Sequence, residues 1–156
     1  MIAVLVAAAV ATSDAAQFAF NPIDFFRGRT RGDGTLKVLF QKPKRIQVES
    51  EGVEQKDGTL VLRQLIKEAG KKPRTRFWRL RQVAPNRFEG TLTDAAGPVR
   101  VDLVKQGVRI RYTAPNHLNF DQLLEPAGPG EVHNHMRVRR FGVTVARLEE
   151  VIRKLD

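Results

Sequence analysis

The chain contains no cysteine, so disulfides, thiolate zinc sites, iron–sulfur clusters, a cysteine nucleophile and a lipid-bearing cysteine are all excluded. Tryptophan and tyrosine occur once each among 156 residues. No H-E-x-x-H, G-x-S-x-G, Walker-type or G-x-G-x-x-G sequence is present, and Gly28, Gly32 and Gly34 lack the strand-then-helix context that a phosphate loop needs. No catalytic residue and no cofactor is therefore expected. Acidic residues are scarce relative to basic ones: 17 Asp+Glu against 27 Lys+Arg give a net charge of +10. Such a balance attracts phosphate-bearing surfaces, and 18 of the 27 cations are arginine, the side chain suited to bidentate contact with phosphate or carboxylate. An arginine-rich composition overall would give the same ratio.

The longest apolar run, Met1 to Thr12, is shorter than the ~20 residues a membrane-spanning helix requires and has the length of a signal-peptide core. Small residues follow at Ala9 and Ala11, with Ser13 and Ala15 as a second cleavage option. Residues 1–16 are accordingly read as a signal segment, and 17–156 as a single domain. No Lys or Arg precedes Arg27, so the usual basic start is missing, and a buried N-terminal element is the alternative. Removal would leave 27 basic and 16 acidic side chains, net +11. A periplasmic or cell-envelope location is expected, with the cytoplasm as the alternative.

From Thr35 onward, short β-type segments recur at the spacing of an all-β barrel or sandwich. Strands are expected near Thr35–Gln41, Ile46–Val53, Thr59–Ile66, Thr75–Val83, Phe88–Asp94, Val99–Val104, Val108–Thr113, Leu118–Leu124 and Val132–Val138. Turn chemistry separates them, as at Asp57-Gly58, Gly97-Pro98 and Pro115-Asn116. Links this short make hairpins, so the topology should be an antiparallel meander. Trp78 and Leu80 alternate with Phe77, Arg79 and Arg81. Val108, Ile110 and Tyr112 alternate with Arg109 and Arg111, and Met136 and Val138 with Arg137 and Arg139. One face is apolar and the other cationic. Closing about eight to ten such strands into a barrel buries the apolar face and removes the edges. After Val143 the spacing of Val145, Leu148, Ile152 and Leu155, with Thr144 as N-cap, predicts a C-terminal helix.

Several segments together resemble a bacterial family. They are Phe25-Phe26-Arg27-Gly28-Arg29, Arg76-Phe77-Trp78-Arg79-Leu80, Phe88-Glu89-Gly90-Thr91-Leu92-Thr93-Asp94 before Gly97, and Asn134-His135-Met136-Arg137-Val138-Arg139-Arg140-Phe141-Gly142-Val143. Over residues 18–148 the chain is similar to domain-of-unknown-function family 3833. The resemblance implies an envelope-associated, lipocalin-like barrel. The family's frequent anchoring cysteine is absent, and the acidic side chains around Gln122 are reduced to Asp121 and Glu125.

The inward set expected from alternation is Leu62, Trp78, Leu80, Leu92, Val101, Ile110, Tyr112 and Val138. Of these, Trp78, Leu80, Leu92, Ile110 and Tyr112 are the candidate ligand-lining residues; large aromatics equally fill barrel interiors. Arg79, Arg81, Arg109 and Arg111 are candidates for anion binding, although a solvated barrel face would look the same. The basic turns Lys42-Pro43-Lys44-Arg45 and Lys71-Lys72-Pro73-Arg74 suit phosphate head groups. Nucleic acid is disfavoured, because neither Trp78 nor Tyr112 shares the arginine face. His133 and His135 lie on one face at strand spacing and make a weak metal pair, for which His117, Glu131 or Asp121 would have to supply a third ligand. The reading favoured by these features is a barrel binding a small apolar or amphipathic molecule, with a basic surface toward anionic envelope components. The alternatives are an enzyme or cofactor-binding barrel using Tyr112, His133, His135 or Asp94 in the same cavity, and a filled structural barrel.

Overall fold

The computed structural model describes residues 20–156; the expected signal segment lies outside them. A short helix, α1 (Pro22–Phe26), precedes ten strands: β1 (Gly28–Val38), β2 (Lys44–Glu54), β3 (Leu60–Glu68), β4 (Arg74–Ala84), β5 (Arg87–Leu92), β6 (Val99–Val104), β7 (Gly107–Ala114), β8 (Leu118–Gly128), β9 (Glu131–Arg140) and β10 (Val143–Lys154). Each strand pairs antiparallel with its chain neighbours, and β1 also pairs with β10, closing the barrel. The expected meander is therefore present, closed at the upper end of the predicted strand number. All eight residues expected to point inward are buried, as the two-residue period of a strand requires.

The expected C-terminal helix is instead the last strand. Val145, Leu148, Ile152 and Leu155 do fall at helical spacing, but Leu148, Glu150 and Ile152 also alternate with Glu149, Val151 and Arg153. A register irregularity between Thr144 and Ala146 disguises that alternation at the start of the segment, and a glutamate occupies one inward position. A helix there would leave β1 and β9 each with an unpaired row of N–H and C=O groups. β10 bonds to both edges.

β1 begins at Gly28 rather than Thr35, because three glycines that look like loop are strand residues. The helix α1 was not evident from periodicity. Its Asn21 side chain accepts from Ile23 N at 2.9 Å and Asp24 N at 3.4 Å, and Pro22 occupies the first turn, a normal helix start. Ile23 and Phe25 join the hydrophobic core. Lys154 Nζ donates to the carbonyls of Asp24, Phe25 and Arg27 at 3.2, 2.8 and 2.7 Å. Residue 52 must be glycine for α1 to lie there, since the Phe26 carbonyl oxygen occupies the place of its Cβ.

Because the strands form a simple meander, connections alternate between the two ends. The β1–β2, β3–β4, β5–β6, β7–β8 and β9–β10 turns gather at one end. The other four turns and α1 gather at the opposite end, and α1 covers it. Among the described residues no helix covers the first end.

Candidate functional site: the barrel cavity

The barrel is hollow. A cavity of about 490 Å³ runs from the underside of α1, at Pro22 and Phe26, to the uncovered end at Val38, Lys71, Leu118 and Val145. Its walls are mainly aliphatic, with Leu36, Ile46, Ile66, Val138 and Leu148 among them. Trp78, Leu80, Ile110 and Tyr112 line it. Leu92 does not: it is buried in the packed cluster beside its strand partner Trp78, with Phe88, Val99 and Val108.

Polar side chains also point into this interior. Gln64, Gln122, Asn134 and Glu150 are buried and line the cavity with Ser50 and Arg76. Gln64 is the hub of one group. Its Oε1 accepts from Trp78 Nε1 and from Arg76 Nε, both at 2.7 Å, while its Nε2 donates to Ser50 Oγ at 3.2 Å. The Arg76 guanidinium also lies over the Trp78 ring, 5.6 Å from its centroid, a cation–π distance. Trp78 is thus both a wall residue and a fully satisfied one. Tyr112 stands edge-on to Trp78 at 5.9 Å and stacks on Phe120 at 4.6 Å.

Glu150 anchors the second group. Its Oε1 accepts from Asn134 Nδ2 at 3.1 Å, and its carboxylate lies against Gly32 of β1. Burial pushes the Glu150 carboxyl above the usual carboxylate range; the Asn134 hydrogen bond and the Arg76 charge pull the other way but do not offset it. Burial likewise pushes the Tyr112 phenol up, opposed by Arg76. Three buried polar atoms on this wall, Tyr112 Oη, Asn134 Oδ1 and Glu150 Oε2, have no hydrogen-bond partner among the described residues. Buried polar atoms are nearly always paired, because leaving one unpaired costs about 1–3 kcal/mol.

At the uncovered end Arg74 and Arg76 share one carboxylate, with Nη1 to Asp94 Oδ2 distances of 2.8 and 3.5 Å. Arg74 was expected only as part of a basic turn and Arg76 not as an inward residue, although both have the parity of Trp78 and Leu80. The arginines singled out for anion binding point outward and fall into two places rather than one stripe. Arg79 and Arg81 are on β4, separated by β5 and β6 from Arg109 and Arg111 on β7. Arg79 Nη2 donates to Gln55 Oε1 at 3.2 Å. Arg109 grips Asp121 through two hydrogen bonds, of 2.9 and 2.6 Å. Arg111 shares Asp102 with Arg87 and Arg100. Burial works against the Asp102 charge, but hydrogen bonds from Arg100, Arg111 and Arg87 outweigh it and hold that carboxyl below its usual range.

The histidines also lie apart from the cavity. His133 pairs with Glu131 at 3.1 Å and His135 with Glu149, both on the outer face of β9. His117 is in the β7–β8 turn at the uncovered end, against the Phe141 ring. No three metal-ligating side chains converge among the described residues. Of the polar residues considered for catalysis in the lumen, Tyr112 and Asp94 reach it and both β9 histidines do not.

A hollow, closed, ten-stranded meander with a helix at one end defines the protein as a lipocalin-like barrel. The chain belongs to the family described as "Protein of unknown function (DUF3833)", whose model matches residues 1–154. Among solved structures it is similar to the S-type phycobiliprotein lyase CPES from Guillardia theta, with a TM-score of 0.68 over 86% of this chain and 90% of that one. At 5% sequence identity the likeness is one of fold. No curated protein matches the sequence.

Proposed function

We propose that the barrel binds a small amphipathic molecule in its lumen, the apolar part against the aliphatic wall and the polar part against the buried belt. The observation that carries this reading is the conjunction of a cavity of about 490 Å³ with three unpartnered polar atoms, on Tyr112, Asn134 and Glu150. A few placed polar groups on an apolar wall are what fixes the orientation of a ligand. Two inward guanidiniums facing one Asp94 carboxylate leave a surplus of positive charge. That favours a ligand whose polar group accepts hydrogen bonds or carries negative charge.

Native mass spectrometry of the protein purified from its own host tests this, together with titration of an apolar fluorescent probe. A small co-purifying mass, lost on denaturation, and saturable probe binding are expected. A bare protein that binds no probe overturns the reading. We further infer export to the periplasm or envelope, which the apolar run Met1 to Thr12 supports.

A further inference from the structure

Two hairpins stand side by side at the uncovered end of the barrel. The β1–β2 and β9–β10 turns are neighbours because β1 pairs with β10, and Leu39 N donates to Val145 O at 2.9 Å. On these turns Leu39, Phe40, Phe141 and Val143 are 47%, 99%, 71% and 57% exposed. Four large apolar side chains grouped on loop tips are unusual on a soluble surface. Turn chemistry does not account for the two phenylalanines. Phe40 has φ 63° and Phe141 φ 49°, left-handed conformations that glycine or asparagine adopts more readily. Nor does packing account for Phe40, which is 99% exposed.

Cations ring this apolar crest. Lys42 and Lys44 flank the first hairpin, Lys71 and Lys72 occupy the adjacent β3–β4 turn, and Arg140 precedes Phe141. Glu68 takes Lys71 at 3.2 Å, and Asp94 takes Arg74 and Arg76. Lys42, Lys44, Lys72 and Arg140 have no carboxylate partner among the described residues. The outer barrel wall carries charged side chains on strand after strand, such as Arg79, Arg81, Glu89 and Arg109, so the barrel cannot sit in lipid sideways. Contact must be made end-on.

We propose that this end docks on an anionic lipid bilayer. Leu39, Phe40, Phe141 and Val143 enter the interface, while Lys42, Lys44, Lys72 and Arg140 meet the headgroups. Apolar insertion and cationic attraction reinforce each other in such binding. Because the cavity reaches the same end, its mouth then faces the membrane. The membrane contact belongs to the mouth rather than to the outer arginines, and it does not depend on what the lumen holds.

The test is co-flotation of the protein purified from its own host with vesicles of phosphatidylcholine alone and of phosphatidylcholine containing phosphatidylglycerol. Binding to the anionic vesicles only is expected, weakening as salt shortens the screening length from ~10 Å at 0.1 M to ~3 Å at 1 M. The double variant Phe40→Asn, Phe141→Asn suits the left-handed backbone and so should fold. It should lower vesicle affinity at least about tenfold and leave apolar-probe binding in the lumen unchanged. Lys42→Glu with Lys72→Glu should do the same, and Arg79→Glu with Arg81→Glu should not. The proposal is overturned if the phenylalanine variant binds vesicles as tightly as the parent, or if neutral and anionic vesicles bind alike. It is overturned equally if the face instead holds duplex DNA, or a second copy of the chain whose dimer the variant dissolves. Loss of probe binding in the parent with vesicle binding intact would remove the lumen reading and leave the docking face standing.

Discussion

The Glu150 carboxylate occupies the space that a side chain on Gly32 would fill: a Cβ at residue 32 would lie 2.5 Å from Oε2. The contact crosses from β10 to β1 at the seam that closes the barrel. It therefore ties the position of the buried acid to the absence of a side chain on the neighbouring strand.

Gly32→Ala should accordingly displace the carboxylate and destabilise the protein by about 1–3 kcal/mol, the range for overpacking an interior. In a Glu150→Ala background the same substitution should cost little. Urea unfolding of the four proteins of this cycle gives the coupling directly.

Glu150 should also leave a mark on the pH dependence of stability. Its folded-state pKa lies above its unfolded value, which is about 4.3. As pH rises past that value the unfolded chain releases the proton first, so the contribution of Glu150 to stability falls until pH passes the folded pKa. Each unit of elevation is worth about 1.4 kcal/mol. The sign is opposite for Asp33, Asp102 and Asp121, which are held low and whose stabilisation is present above the unfolded aspartate value and lost as acid titrates them. Glu150→Gln should remove the fall that begins above the unfolded glutamate value and keep the acid loss of the aspartates, as read from urea midpoints across the pH range.

Tyr112→Phe separates binding from stability. Its buried Oη has no partner, so removing it should leave stability unchanged or raise it by up to about 1–3 kcal/mol. If the hydroxyl holds the ligand's polar group, affinity for the co-purified molecule should drop about five- to tenfold, the loss of one hydrogen bond. Titration calorimetry with that molecule and urea unfolding check the two halves.

Asp102→Asn should leave Arg87, Arg100 and Arg111 facing one another without a carboxylate. All three guanidiniums are well exposed, so solvent limits the loss to about 1 kcal/mol. The loss should shrink at high salt, as measured by unfolding at two ionic strengths.

If the chain is exported, intact-mass analysis of the protein from its host should show the loss of about eleven to sixteen N-terminal residues. A cytosolic protein retaining Ile2 to Ala11 would contradict export.

The sequence alone determined strands β2 to β9 and, where side chains alternate visibly, which side faces in. Alternate side chains on a strand must point to opposite faces, so the parity of Trp78, Leu80, Ile110 and Tyr112 was readable, as were turns such as Asp57-Gly58. Tertiary structure decided whatever depends on which strands become neighbours. The last segment satisfies two periodicities, and it became β10 because two open edges needed hydrogen bonds. Glu150 can be buried because β10 lies beside the glycines of β1, residues that in isolation look like loop. Arg76 and Gln64 meet Trp78 because β3, β4 and the curvature of the sheet bring them into one lumen. Loops far apart in the chain, at Phe40 and Phe141, share one end of the molecule because β1 and β10 close the ring. Pairing between the chain's two ends has no local signal, because its energy appears only once the barrel is closed.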